Sequence, residues 1–332
     1  MTLRIGLVYD LRAVHRGTGL SEEDLAEFDS EETIAAIDGA LQELGHQTER
    51  IGHGRDLCRR LVAGDRWDLV FNLAEGMAGR SREAQVPALL ELFAVPYTFS
   101  DPLTCAATLD KAVAKRLVAA VGVATAPSVL VRDAADLAAV DLTYPLFAKP
   151  VAEGTGKGID AQSRIATPAA LGPVVERLLA RYRQPVLVEG YLSGREFTTS
   201  ILGTGTGARV LGTLEVCLHA DAPHGDYTFD VKEQSEVYVD YPLLMEETLR
   251  RPVEELALAA YRAVECRDAG RVDVRLDGQG TPCFLEINPL PGLHPTHSDL
   301  PMTATAHGMT YRDLIAAIVA GACARQGISH GG

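Results

Sequence analysis

Two neighbouring segments near the C-terminal end alternate apolar and charged residues with a period of two, a pattern typical of paired β-strands. The segments are residues 270–276 and 284–288, and the Asp-Gly-Gln-Gly sequence at 277–280 between them favours a turn. Side chains two positions apart lie on the same face of a strand. Those expected to share faces are Arg271, Asp273 and Arg275 on the first strand and Glu286 and Asn288 on the second. The sequence therefore predicts a hairpin that presents carboxylates, an amide and an arginine together.

The chemistry of these side chains favours a hard cation. Carboxylate and amide oxygens suit Mg²⁺, which keeps several waters and bridges to phosphate. A solvated face of an amphipathic hairpin would show the same alternation, so the pattern alone leaves both interpretations open. Residues 289–298 favour a site, because their Pro-Leu-Pro-Gly turn leads from the second strand directly into a polar loop.

The composition and net charge of the chain limit the kinds of partner that it is expected to bind. A chain of 332 residues with 47% hydrophobic residues is long enough for two or three packed domains. Its formal charge of −14 argues against nucleic acid and against an anionic membrane surface, since both attract clustered Lys and Arg. The first ten residues do not resemble a secretory signal, and no apolar run is long enough to span a bilayer. We expect a cytoplasmic enzyme.

Strand and helix patterns alternate over about the first 100 residues. The predicted strands are residues 3–9 and 67–72, and the predicted helices are residues 31–44 and 82–93. This alternation predicts a doubly wound parallel α/β domain, with ligands at the carboxyl ends of its strands. Glu75, Arg80 and Glu83 would then lie at a substrate-facing rim, although isolated rim charges are usually only solvated. A G-x-G-x-x-G dinucleotide fingerprint is absent.

A glycine-rich segment at residues 153–158 follows a predicted strand that ends at Lys149. Its three glycines allow backbone N–H groups to turn towards a phosphate, and Lys149 and Lys157 supply positive charge. The segment is not a Walker A motif. A flexible hairpin tip would have the same composition, so both interpretations remain open on this evidence.

The hairpin and the loop after it resemble the metal-binding end of the ATP-grasp enzymes, most closely the D-alanine–D-alanine ligases. The resemblance rests on the order arginine, aspartate, glutamate, asparagine, then proline-glycine and a histidine-serine pair, and it extends over almost the whole chain. It implies an ATP-grasp fold, α/β (α+β) in class, that begins with the doubly wound domain. The implied domains are 1–104 for substrate binding, 105–192 with the phosphate-covering loop, and 193–332 with the metal and catalytic site.

The resemblance also assigns roles to residues. Asp273, Glu286 and Asn288 would hold two Mg²⁺ ions, with Mn²⁺ as an alternative. The ATP-binding residues would be Lys111, Lys149, Glu153, Gly154, Thr155, Gly156, Glu189, Leu192 and Glu196, with Glu189 accepting from the adenine and Glu196 binding the ribose. Lys232 would contact the transferred phosphate, Arg271 and Gly292 the oxyanion, and Ser298 the second substrate's carboxylate. For the first substrate's ammonium group the candidate is Glu31, with Glu27 as a competitor. Lys115 is expected to face solvent.

The activity that the resemblance implies is amide formation through an acyl phosphate, with D-alanine–D-alanine ligation for peptidoglycan as the leading interpretation. The family often has a tyrosine over the second substrate where this chain has Glu233, which favours a different amino-acid pair in specialised metabolism. A regulatory nucleotide-binding module without turnover and a kinase are two further alternatives. Small amino acids are the expected partners, and the resemblance also implies a homodimer.

Overall fold

Three β-sheets with their covering helices make up the residues that the computed structural model describes, 1–17, 19–223 and 227–328. The strands are β1 Arg4–Val8, β2 Gln47–Gly52, β3 Leu69–Asn72, β4 Ser128–Val131, β5 Leu146–Pro150, β6 Arg164–Ile165, β7 Val186–Gly190, β8 Glu196–Leu202, β9 Arg209–Leu218, β10 Val239–Asp240, β11 Ala269–Leu276 and β12 Pro282–Asn288. The helices are α1 Arg12–His15, α2 Glu22–Leu25, α3 Glu31–Glu43, α4 Gly54–Val62, α5 Gln85–Leu92, α6 Pro102–Leu109, α7 Lys111–Ala120, α8 Pro168–Tyr182, α9 Phe229–Glu233, α10 Ser235–Tyr238, α11 Glu247–Ala263, α12 Asp299–Ala306 and α13 Tyr311–Gln326. Within these described ranges, every helix is too short or too polar to cross a membrane.

The first sheet is parallel, in the order β2-β1-β3, and carries helices on both faces. Alternate residues of β1 point to opposite sides: Leu7 packs with α3 and α13, whereas Val8 packs with α4 and α5. Both faces are therefore covered by apolar side chains, which explains the near-continuous apolar sequence of the strand. The predicted doubly wound α/β arrangement is confirmed.

The second sheet, in the order β4-β7-β5-β6, is antiparallel and is covered by α8. Strands β5 and β6 form a hairpin, and the glycine-rich segment lies in the connection between them. The segment therefore projects from the sheet edge, next to the first sheet's loops.

The third sheet, in the order β10-β9-β8-β11-β12, is antiparallel and packs against α7 and α11. Strands β11 and β12 form the predicted hairpin, in which Asp273 pairs with Glu286 and Arg271 pairs with Asn288. A register irregularity follows Asp273. The register places the two candidate carboxylates directly opposite each other on adjacent strands.

The last helix, α13, returns to the first sheet and packs against α3. Arg325 on this helix forms an ion pair of 2.8 Å with the fully buried Asp268, and it also donates to the carbonyls of Tyr97 and Phe99. Each of the three predicted segments contains one sheet, although the boundary at 104/105 falls inside α6. The two boundaries stay predictions.

Candidate active site

Helix α7 begins where the three sheets meet, and its N-terminal cap fixes the position of Lys111. The Asp110 carboxylate accepts from the backbone N–H of Val113 at 3.0 Å and from Arg80 at 2.6 Å. Lys111, the first helical residue, lies 3.1 Å from the Glu286 carboxylate and donates to the Glu153 carbonyl. The cap therefore places an ammonium group next to the candidate metal ligands.

Lys115, one turn further along α7, is buried rather than exposed to solvent, so the expectation for this residue is wrong. Its ammonium group forms an ion pair with Glu189, and Lys149 lies 2.7 Å from the same carboxylate. Burial by itself would raise the pKa of Glu189, but Lys149 and Lys115 together lower it to about 2. In this structure Glu189 is thus a charged group between two lysines.

A cleft between the second and third sheets holds about 650 Å³ of space, part of which is open to solvent. Its lining includes the apolar side chains Phe147, Ile159, Leu192 and Leu285. Lys149 and Glu189 line it as well, and so does Glu196, whose carboxylate lies 3.4 Å from Arg275. A cavity lined by both apolar and charged side chains suits a flat base joined to a polar tail. We call this space the nucleotide cavity.

The nucleotide cavity ends at the β11–β12 hairpin. Asp273 accepts from the Thr198 hydroxyl at 2.8 Å and from Arg271 at 3.0 Å. Burial raises the pKa of Asp273 to about 6, with Arg271 opposing the shift and Glu286 adding to it. Burial would also raise the pKa of Glu286, but Lys111 and Lys232 hold it well below its ordinary value. The surrounding charges and burial thus shift the pKa values of the two carboxylates in opposite directions.

The donor set of the hairpin fits a hard cation. The predicted ligands are two carboxylates and one amide, and no group of three His, Cys, Asp or Glu side chains in the described part of the chain is placed to hold a metal. The Asn288 amide nitrogen is buried without a hydrogen-bond partner. Because an asparagine amide can turn to present its oxygen instead, Asn288 can complete an oxygen site with Asp273 and Glu286.

A larger cavity adjoins the hairpin, and we call it the substrate cavity. It is lined on one side by Lys232, Arg271, Gly292 and Ser298, and on the other by loops of the first sheet. Gly292 permits a close approach, because a Cβ there would lie 2.8 Å from the Ser298 hydroxyl oxygen. That oxygen accepts from the backbone N–H of His294 at 2.9 Å, which closes the loop around the site. Gly154 and Thr155 of the glycine-rich segment also line this cavity.

Two predicted site residues lie elsewhere. The Glu31 side chain is 62% exposed, pairs with Arg50 and does not line the substrate cavity. It is the first residue of α3, where Ser30 caps the helix, so its side chain points along the surface. Glu153 accepts from Lys111 through its carbonyl oxygen. Its carboxylate accepts from Gln184 at 2.6 Å and lies 3.3 Å from Lys157.

The competitor Glu27 does line the substrate cavity. Both of its oxygens accept from Arg82 at 3.0 Å, and one accepts from the backbone N–H of Gly154 at 2.8 Å. Glu27 therefore joins the first domain to the glycine-rich segment. Lys232 lies on α9, and residues 224–226, shortly before this helix, lie outside the described residues.

Three partners of the site were not found from the sequence. Asp299 holds the Arg271 guanidinium at 2.6 Å, Thr198 donates to Asp273, and Lys115 neutralises Glu189. Only Lys115 had a usable signal, because residues four apart on a helix share a face with each other, and Lys111 was already assigned to the site.

Comparison with known proteins bears directly on this arrangement. The family model for the D-ala D-ala ligase C-terminus matches residues 117–320. A D-alanine–D-alanine ligase of Bordetella petrii is 32% identical over 332 residues, with 97% of this chain and 93% of that protein covered. The chain belongs to the D-alanine–D-alanine ligase family. The ligase is also 35% identical to the uncharacterized protein y4sG of Sinorhizobium fredii, over 86% of this chain and 85% of that one.

The solved structures agree on the fold. The crystal structure of a D-alanine–D-alanine ligase from Bacillus anthracis complexed with ATP has a TM-score of 0.74 and 21% sequence identity, covering 98% of this ligase and 99% of that chain. The predicted ATP-grasp fold is confirmed. With its family and fold shown, the protein is an ATP-dependent ligase that forms carbon–nitrogen bonds.

Proposed function

We propose that this ligase joins two amino acids through an acyl phosphate. The observation that carries the proposal is that Asp273 lines both cavities and that the cations of the site converge on its strand partner Glu286, which lines the nucleotide cavity. Lys111, Lys232, Lys149 and Arg271 all lower the pKa of this carboxylate, although its burial acts in the opposite direction. A carboxylate that attacks a phosphate brings two anions together, so positioning and neutralisation of charge are the main requirements.

In this proposal the first substrate's carboxylate oxygen attacks the γ-phosphorus of ATP, and ADP leaves. The second substrate's amine then attacks the acyl carbon, its proton passes to solvent, and phosphate leaves. Lys111, Lys149 and Lys232 neutralise the phosphates, while the backbone of Gly154, Thr155 and Gly156 covers them. Mg²⁺, held by Asp273, Glu286 and Asn288, would supply further charge neutralisation between the phosphates.

Arg271 and the backbone at Gly292 are proposed to stabilise the oxyanion that forms when the amine attacks. The Arg271 guanidinium is pre-positioned between Asp273 and Asp299, at 3.0 and 2.6 Å, so its orientation does not depend on the substrate. Ser298 is proposed to bind the second substrate's carboxylate. For the first substrate's ammonium group we propose Glu27 in place of Glu31, because only Glu27 lines the substrate cavity.

D-alanine is one candidate for both substrates, since relatives across nearly the full length are D-alanine–D-alanine ligases. A different amino-acid pair is the second candidate. Glu233 lies in the lining of the substrate cavity, and the opposite wall carries Glu75 and Glu83. These acidic groups are more than a small neutral side chain needs.

The experiment that tests the proposal is phosphate release from MgATP with D- and L-amino acids, singly and in pairs, with mass spectrometry of the products. Phosphate together with a dipeptide supports the proposal. A phosphorylated amino acid without free phosphate would make the protein a kinase, and ATP binding without turnover across the panel would favour a regulatory module.

A further inference from the structure

The wall that the first domain contributes to the substrate cavity is rich in carboxylates. Glu27, Asp29, Glu75 and Glu83 all line it. Glu27 is satisfied by Arg82 and by a backbone N–H. The other three have no side-chain hydrogen bond or ion pair with any residue that the structure describes.

Glu83 is the most informative of these residues. Glu83 is only 8% exposed, yet it lines the substrate cavity and forms no hydrogen bond or ion pair with a described residue. Arg82 and Lys111 act on its carboxylate only at longer range. The neighbouring Arg82 turns the other way, towards Glu27 and the carbonyl of Ala152. A buried carboxylate without a partner is costly to a folded protein, so such a group at a cavity wall is suited to a ligand that supplies the missing charge.

Electrostatics supports the same interpretation. Burial raises the pKa of Glu83 to about 7, with Arg82 opposing the shift and Glu27 adding to it. Burial also raises the pKa of Glu75, and Glu83 adds to this shift. Arg12 also lines this wall, but its guanidinium donates to the carbonyls of Phe28 and Ala26 and not to Glu75 or Glu83.

The opposite end of the substrate cavity carries positively charged side chains. Lys232 and Arg271 lie at the hairpin, where the proposed reaction requires the substrate's carboxylate. A bound amino acid would thus lie with its carboxylate at the hairpin and its cationic part against the first domain. One ammonium group can be served by Glu27 or Asp29, which leaves Glu75 and Glu83 to be matched.

We propose that the first amino acid carries a second cationic group, a side-chain amine or guanidine, which is bound by Glu75 and Glu83. This inference rests on the proposed ligase function, because that function sets the orientation of the substrate. It makes Glu83 a specificity-determining residue and replaces D-alanine as the first substrate with a basic amino acid.

The test compares lysine, ornithine and arginine with norleucine, each as D and L forms, and with D-alanine, in the presence of MgATP and hydroxylamine. Norleucine has the length of lysine without its side-chain charge, and hydroxylamine converts an acyl phosphate to a hydroxamate without needing the second amino acid. We expect one of the basic amino acids to exceed norleucine in kcat/KM by about tenfold or more, because the site's carboxylates are left unpaired by norleucine.

Glu83→Gln should remove most of that preference by raising the KM for the basic amino acid, while the KM for ATP stays within about twofold. Glu32→Gln is the matched control, because Glu32 also lines this cavity but its side chain is 75% exposed. Glu75→Gln provides a second variant at the same wall, and thermal melting checks that each protein folds.

Hydroxamate formation from norleucine or D-alanine with a kcat/KM equal to or above that of the basic amino acids would overturn this inference and leave the ligase function intact. A preference for basic amino acids that survives both Glu83→Gln and Glu75→Gln would overturn the assignment to these residues. No hydroxamate from these amino acids or from D-alanine, with ATP bound, would instead contradict the proposed function on which the inference depends.

Discussion

Lys115 neutralises Glu189, and this leaves the charge of Lys149 available to a ligand. Two ammonium groups share one carboxylate in a buried cluster, so the cluster carries one excess positive charge at the end of the nucleotide cavity. With Lys115 removed, Lys149 and Glu189 would form a closed neutral pair. Lys115 therefore affects nucleotide binding indirectly, because it neutralises Glu189 and leaves Lys149 available.

We predict that Lys115→Met raises the KM for ATP by about tenfold, which corresponds to the loss of one charge-assisted interaction. Steady-state kinetics with varied ATP measures this. Arg116→Met is the control, since the adjacent Arg116 is exposed. Equal KM values for the two variants would show that the cluster has no role in ATP binding.

A second prediction at this scale concerns the hairpin carboxylates. Asp273→Asn or Glu286→Gln should lower turnover by about a hundredfold or more, because each removes a charge that we assign to metal binding. Glu215→Gln, on the same sheet but paired with Arg195, should keep wild-type turnover. Retention of turnover in a folded Asp273→Asn or Glu286→Gln protein would refute the metal assignment at that position.

The position of an individual side chain was predictable where the sequence pattern determined which face of a strand it occupies. Strand alternation placed Arg271, Asp273 and Glu286 together, because the period of two leaves little freedom. The direction of Glu31 depended on the point at which Ser30 caps a helix, and the partner of Glu189 depended on packing between α7 and β7. The contact between Lys115 and Glu189 joins residues 74 positions apart, and local sequence does not specify such a contact.

At the scale of elements, the glycine-rich segment is held by a close contact at its end. Gly158 has a φ of +79°, and a Cβ there would lie 2.5 Å from the Pro150 side chain. Its backbone N–H donates to Glu23 at 3.1 Å, so the segment is attached to the first domain as well as to its own hairpin. A side chain at this position would displace the segment from the phosphates that it is proposed to cover.

We predict that Gly158→Ala raises the KM for ATP several-fold and lowers thermal stability. The control is Gly122→Ala, because Gly122 has a similar φ of +85° and its Cβ would meet nothing within 4 Å. Both variants carry left-handed strain of about 1 kcal/mol, so the difference between them isolates the collision. If both variants bind ATP like wild type, the segment does not cover the nucleotide.

Most elements were predictable from local signals. The start of α7 at Asp110, the stop of α3 near Gly45 and the β11–β12 hairpin all follow from capping or alternation. The order of strands within the third sheet did not follow, because β8 and β11 pair across more than sixty intervening residues. Such pairing reflects the packing of the whole sheet.

At the scale of the molecule, the chain closes on itself through Asp268 and Arg325. The Asp268 carboxylate has no exposed side-chain surface and accepts from the backbone N–H of Phe99 at 2.7 Å, while Arg325 pairs with it from the last helix. Residues from the first and third predicted domains thus meet at one buried charge pair. The return of α13 to the first sheet was not predicted, since its apolar pattern specifies a buried face and not a partner.

We predict that Arg325→Met lowers the free energy of unfolding by about 3–5 kcal/mol at pH 8, because it leaves a buried carboxylate without its cation. Burial raises the pKa of Asp268 and Arg325 opposes that shift, so removing Arg325 raises the pKa further. An acid whose pKa is higher in the folded than in the unfolded chain loses folding stability as the pH rises between the two values. The loss should therefore be smaller at pH 5.

Urea unfolding at both pH values measures this effect. Arg312→Met on the same helix is the control, because the Arg312 side chain is 49% exposed and should contribute less than about 1 kcal/mol. A loss for Arg325→Met that is equal at the two pH values would contradict the role given to the buried charge.

The central claim, ligation through an acyl phosphate, is tested most directly by oxygen transfer. The amino acid that supports turnover is labelled with ¹⁸O in its carboxylate. Mass spectrometry then measures the ¹⁸O content of the phosphate that is released during dipeptide formation. The account predicts one ¹⁸O atom in each phosphate, because the substrate's oxygen bonds to phosphorus and stays there when the amine displaces it. Unlabelled phosphate that accompanies dipeptide formation would contradict it.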